Sequence, residues 1–200
     1  MPALRTLLDG VHLATVSTAD YELVTVEVSG TRTDSDLAYL EIAASHHPRN
    51  EDATCLLWAN HVAMHPGQKI TVQFLEDAET SAPGKTIYEL YPNEPTEPAA
   101  QDFKPTRELL DTLAHLPAHR DSFALQLDSS QGTHLAMQTD SKAHGFRFSV
   151  FWNIWRSNPA QACMALCSHS LQNLRTRTRG TYHAQEMLGH QDEVSLTVLG

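Results

Sequence analysis

Three residues near the end of the chain, Cys163, Cys167 and His169, have side chains soft enough to hold a transition metal, and their spacing decides whether they could. On a helix, Cys163 and Cys167 would stand one turn apart and could share an ion. On a strand, all three would lie on one face but spread over about 20 Å, too wide for one site. Asn158 and Pro159 could open a helix here, while Met164 and Leu166 also suit a strand, so residues 159–174 are ambiguous.

The remaining histidines are poorer candidates. His65 precedes Pro66 in a turn after His61, and Pro117 separates His115 from His119, so neither pair occupies a continuous helix that would aim both rings alike. No HExxH sequence is present. Cysteines filling a core and histidines on a surface account for these residues, so no metal and no cofactor is expected.

Other chemistries find little support. Pro83-Gly84-Lys85-Thr86 resembles the end of a phosphate-binding loop, but Glu79 stands where that loop needs its first glycine. The acidic pairs Glu51-Asp52 and Glu76-Asp77 fall in polar loops, where water screens both carboxylates and neither is poised as a general acid. No GxSxG elbow presents a nucleophilic serine, so no catalytic residue is assigned. Arg175, Arg177 and Arg179 alternate with threonines, and an extended chain would place the three guanidinium groups on one face, with Arg147, Arg156, Trp152 and Trp155 as further contacts for phosphate or RNA. A charged, solvated strand edge explains the stripe better.

The elements that must position these residues are mainly strands. Val24, Val26 and Val28 alternate with polar residues, as do Ile70, Val72 and Phe74 after the Pro66-Gly67 turn, so residues 55–76 read as a hairpin. Phe146, Phe148, Val150, Trp152 and Ile154 form the strongest strand face in the chain, opposed by Arg147, Ser149, Phe151 and Asn153. Residues 11–17 and 193–199 also read as strands, residues 123–127 and 133–139 as a hairpin, and 37–44 as a strand with some helical character. Leu109, Leu110, Leu113 and Leu116 mark an amphipathic helix over 105–116, with Pro105 at its first position and Pro117 after it. Thr86 to Tyr91 could form a short helical turn within an otherwise proline-rich and acidic stretch.

A shift of 124 residues lays the second half on the first without a gap. Val24, Val26 and Val28 fall on Phe148, Val150 and Trp152, Leu40 and Ile42 on Met164 and Leu166, and Trp58 on Tyr182. Ile70, Val72, Phe74 and Leu75 fall on Val194, Leu196, Val198 and Leu199, and His12-Leu13-Ala14 matches His134-Leu135-Ala136 at a slightly shorter shift. The expected fold is therefore mainly β: two tandem, duplicated antiparallel modules, sandwich-like or barrel-like, at 1–76 and 122–200, with a connection at 77–121 that carries one short helix.

Charge separates the halves. Residues 1–100 carry 15 acidic and 5 basic side chains, whereas residues 101–200 carry 9 of each, so the whole net charge of -10 belongs to the first half. Such a field repels nucleic acid and draws a basic partner. No apolar run is long enough to span a membrane, the start lacks the pattern of a secretory signal, and three cysteines do not make a disulfide framework, so a cytoplasmic protein is expected. In these respects the chain is similar to bacterial immunity proteins that neutralise basic nuclease toxins. The expectation is a non-catalytic protein-binding protein that meets a basic protein through Glu51, Asp52, Glu76, Asp77 and Glu79, with Trp155 as an apolar contact. The alternatives are a metal-dependent or carboxylate-based hydrolase and a β module that binds a small ligand or carbohydrate.

Overall fold

Strand formation follows the alternation seen in the sequence, and the sheets then settle what alternation left open. In the computed structural model, residues 1–46, 54–93, 106–156 and 158–200 are described. The first half contains β1 (Ala3–Leu8), β2 (Val11–Ser17), β3 (Leu23–Thr31), β4 (Ala38–His46), β5 (Thr54–Met64) and β6 (Lys69–Leu75). Helices α1 (Ile87–Leu90) and α2 (Arg107–His115) follow. The second half contains β7 (Ala124–Ser129), β8 (His134–Gln138), β9 (Gly145–Asn153), β10 (Ala162–His169), α3 (Leu171–Thr176), β11 (Thr181–Leu188) and β12 (Glu193–Val198).

These strands form two six-stranded antiparallel sheets, in the orders β2-β1-β6-β12-β7-β8 and β11-β10-β9-β3-β4-β5. The ambiguous stretches 37–44 and 161–169 become β4 and β10 because each lies between two strands and satisfies its backbone groups on both sides. Leu4, Leu7 and Leu8, only an apolar opening in the sequence, belong to β1, which is paired with β2 and β6. Helix α2 begins after the Thr106 cap, whose hydroxyl accepts a hydrogen bond from the Leu109 amide at 3.1 Å; Pro105 lies outside the described residues.

Each half gives three strands to each sheet, and both strand orders read the same from either end. The 124-residue shift acquires a geometric meaning here. Val26 and Val150, which it equates, are partners across β3 and β9; Thr71 and Ser195, which it also equates, are partners across β6 and β12. An approximate two-fold axis passes through both pairs. Ala38 opposite Met64 corresponds to Ala162 opposite Leu188, and Leu4 opposite Phe74 to Leu125 opposite Val198. A bulge between Thr6 and Leu7 in the β1–β2 ladder limits the upstream match to His12 and His134: Ala14, opposite Thr6, corresponds to Leu135, opposite Leu127, and not to Ala136.

One equivalence fails. The β4–β5 ladder has two register shifts where β10–β11 has one. Leu57, opposite Ala43, therefore corresponds to Tyr182, opposite Cys167, and Trp58 corresponds to His183. A one-residue slip moves a side chain to the other face of a sheet. Trp58 packs against the core, whereas Tyr182 is 51% exposed and is not the second half's core aromatic.

Both halves feed one apolar core. Val24, Val26, Val28, Leu40, Ile42 and Phe74 pack with Leu127, Phe146, Phe148, Val150, Met164 and Leu196, all at most 1% exposed. Gly30 marks a tight place in it. A Cβ there would lie 2.6 Å from the Leu37 carbonyl oxygen and 3.1 and 3.2 Å from the Phe146 and Phe123 rings. The nearest atom is backbone and cannot swing aside. Gly30→Ala is expected to destabilise the fold by about 1–3 kcal/mol, read as a lower urea midpoint with an unchanged slope.

Candidate functional site

The acidic candidates of the connecting stretch are held by the fold rather than lying loose. After β6 the chain turns back along the free edge of β2. The Ser81 amide donates to the Thr15 carbonyl at 3.0 Å, the Thr15 amide donates to the Ser81 hydroxyl at 3.0 Å, and the Ser17 amide donates to the Thr80 hydroxyl at 3.1 Å. It then crosses to the other sheet, where Leu57 and Lys85 exchange backbone hydrogen bonds at 2.8 and 2.9 Å. Residues 78–85 thus form a strap across the flank of the first half, from β2 to β5. Beneath it the Trp58 indole donates to the Ala82 carbonyl at 2.7 Å and meets the Tyr21 ring edge-on at 5.7 Å.

The strap ends in α1, a single turn closed by a capping box. The Thr86 hydroxyl accepts from the Glu89 amide, and the Glu89 carboxylate accepts from the Thr86 amide at 2.7 Å. These hydrogen bonds, with Lys85 nearby, hold the Glu89 carboxyl below its usual range. Ile87 is 45% exposed, Tyr88 52% and Tyr91 37%, and the Tyr91 hydroxyl accepts from the Asn60 amide group at 2.9 Å. Glu76, Asp77 and Glu79 are exposed along the first part of the same stretch. Asp77 is paired with the amino group of Met1, which lowers its pKa, while Glu76 and Glu79 have no ion pair among the described residues.

Trp155, 65% exposed, sits in the β9–β10 turn at the same end of the sandwich, where the Ile154 amide donates to the Glu22 carbonyl at 2.9 Å. Glu51 and Asp52 lie outside the described residues. The structure therefore places Glu76, Asp77, Glu79 and Trp155 at one end, and adds the exposed aromatic turn of α1.

A second cluster, on the outer face of the other sheet, escaped the sequence reading. Glu27 and Glu41 stand directly opposite each other across β3 and β4. Arg147 from β9 pairs with the Glu27 carboxylate through both Nε and Nη2. The Glu41 carboxyl is pushed above its ordinary range by burial first and by Glu27 second, with His61 and Arg147 opposing. The two carboxylates are 14 residues apart in sequence, and only the register makes them neighbours.

Cys163, Cys167 and His169 do occupy a strand, so they spread along β10 instead of converging. Cys163 is buried and its sulfur accepts from the Gln185 side chain at 3.8 Å; burial raises the Cys167 thiol; His169 faces His144 with ring centroids 6.4 Å apart. Among the described residues, no three His, Cys, Asp or Glu side chains gather as a metal site.

The arginine stripe is also rearranged. The Ser170 hydroxyl accepts from the Asn173 amide at 3.1 Å and the Asn173 side chain accepts from the Ser170 amide at 2.9 Å, a capping box that starts α3 in place of an extended chain. Arg175 turns to Asp111 of α2 at 2.6 Å, and Arg177 closes the helix in the left-handed conformation.

A cavity of about 370 Å3 opens where β10 ends and β11 begins, lined by Asp140, Lys142, Ser168, His169, Asn173 and His183 among others. The buried Ser168 hydroxyl is 2.9 Å from His183 Nε2. Burial lowers the pKa of His144, His169 and His183, so this end of the molecule carries neutral imidazoles at neutral pH. Such a set offers hydrogen-bond donors and acceptors to a polar group.

In comparisons with protein-family models, curated proteins and solved structures, nothing matches the chain.

The Glu27–Glu41 pair makes a measurable prediction. Because folding raises the Glu41 pKa, its ionised form weakens the fold above the carboxylate range, and that cost disappears as pH falls through the raised value. Glu41→Gln should raise the urea midpoint at pH 7 and lose this advantage at pH 4. An equal effect at both values would show that the ionisation of Glu41, half-buried beside Glu27, is not the cause.

Proposed function

We propose that this protein is a non-catalytic binding protein that captures a basic protein, in the manner of an inhibitor, through the strap and α1. The observation that carries this reading is the exposed group of Ile87, Tyr88 and Tyr91 on a turn held to β5, with Glu89 in the turn itself and Glu76 and Glu79 exposed on the stretch that leads into it. Binding energy at interfaces concentrates in aromatic anchors, and a charged rim contributes orientation and rate. Anchoring matters because an ordered segment loses little entropy on binding. The charge balance supports the same direction, since the full excess of -10 lies in residues 1–100. No helix among the described residues is long and apolar enough to cross a membrane.

A photo-crosslinking amino acid in place of Tyr88, introduced in the protein's own cells, tests the reading. It should capture a protein of net positive charge, and the same group placed at exposed Val11 should not. The purified partner should associate about tenfold more slowly when salt rises from 50 to 300 mM, and a Glu76→Lys, Glu79→Lys, Glu89→Lys triple variant should show a comparable loss at low salt. A captured partner without positive charge, or an association rate indifferent to salt, would overturn the proposal.

A further inference from the structure

The two flanks of the sandwich are related by the approximate two-fold axis, but among the described residues only one is covered. On the flank of the first half, the strap takes the outward amide and carbonyl of Thr15 on β2 and roofs Trp58 and Tyr21. On the flank of the second half, β8 and β11 are the corresponding edges. Thr15 stands opposite Arg5, and its counterpart Ala136 stands opposite Gln126. Ser129 and Thr139 bond to the facing strand or its extension through Thr133 and Phe123, so by ladder alternation His134, Ala136 and Gln138 direct their backbone groups outward. Among the described residues, Ala136 has no backbone partner on that side.

The interior of this flank differs in the same sense. His183 stands where Trp58 stands in the first half, and the turn at 140–143 replaces the loop carrying Tyr21. Trp58 is packed by Tyr21 and by the strap at Ala82 and Gly84, whereas His183 lines the cavity of about 370 Å3. Its rim is basic. Lys142 lines it, and Arg177 and Arg179 belong to the adjoining α3–β11 turn; none of the three has an ion pair among the described residues. Asp140 is the one carboxylate lining the cavity.

We propose that the open flank between β8 and β11 docks an extended, acidic segment of a partner protein, which pairs with β8 as the strap pairs with β2 and seats one hydrogen-bonding side chain in the cavity beside His183. Strand addition to a free edge supplies affinity through the backbone, and the cavity and basic rim supply selectivity. The strap and the two residues that lead into it display the required chemistry: Glu76, Asp77 and Glu79 outnumber Lys85, and Thr80 and Ser81 supply hydroxyls to the edge. This surface lies on the flank opposite the α1 face, so it is a second contact, independent of the first.

A labelled peptide of residues 76–86, added to the intact protein and followed by fluorescence anisotropy, is the test. Saturable binding is expected, weakening with salt. Ala136→Pro removes the outward amide at an edge position where proline is tolerated, and should weaken binding tenfold or more. His183→Trp should fill the cavity as Trp58 does and produce a similar loss; it decides the matter if circular dichroism shows Ala136→Pro to be unfolded. Neutralisation by Lys142→Gln, Arg177→Gln and Arg179→Gln together should abolish the salt dependence. Absence of saturable binding up to millimolar protein, or binding unaffected by Ala136→Pro in a folded protein and by His183→Trp, would overturn the proposal. So would a concentration-dependent dimer broken by Ala136→Pro, which would make a second copy the occupant. The α1-face reading stands or falls separately, because its charge reversals leave β8 and β11 untouched.

Discussion

The β3–β9 ladder holds the molecule together. It joins the halves at the centre of one sheet over nine residue pairs, from Leu23 opposite Asn153 to Thr31 opposite Gly145. Its inward residues, Val24, Val26 and Val28 against Trp152, Val150 and Phe148, form the middle of the common core. The shorter β6–β12 ladder does the same for the other sheet. With both seams paired, neither half ends in a free edge at the centre, and each half covers apolar surface of the other. Burial of this kind is the main favourable term in folding, so separating the halves would expose a long apolar seam and two rows of backbone groups.

The symmetry of that core leaves the flanks to differ. On one side the chain lays its own strap over both sheet edges and packs Trp58 beneath it. On the other, His183 and a polar turn occupy the equivalent place, and no described residue pairs with the outer edge of β8. A free strand edge is a site where another chain can add, and proteins blunt such edges unless they use them. The first half also carries the acidic excess, whereas the second places Lys142, Arg177 and Arg179, without ion pairs among the described residues, beside this flank. The two surfaces are therefore opposite in charge as well as in position.

Much of the strand content was readable because alternation has a period of two, and a half-buried strand shows it directly. Val24 to Val28 and Phe146 to Trp152 were legible for that reason. The short helix at Ile87–Leu90 was legible through its threonine start and apolar turn. The arginines of 175–179 were misread as an extended stripe because Ser170 and Asn173 form a capping box, a local signal four residues long that alternation of Arg and Thr obscures. Trp58 and Tyr182 were paired by a uniform shift, and an additional bulge in β5 moved them to opposite faces. Glu27 and Glu41 had no signature at all, since cross-strand neighbours are set by register and not by spacing.

The amino-acid sequence by itself determined the strand pattern, the 124-residue correspondence between halves and the concentration of acid in the first of them, because each is a property of composition or of local period. Only the tertiary structure decided that the halves share both sheets, that residues 78–85 seal one flank, and that no described residue pairs with the corresponding edge of β8. Those outcomes depend on which backbone edges meet across the chain. Hydrogen-bond pairing between distant strands leaves no mark on the spacing of residues within either one.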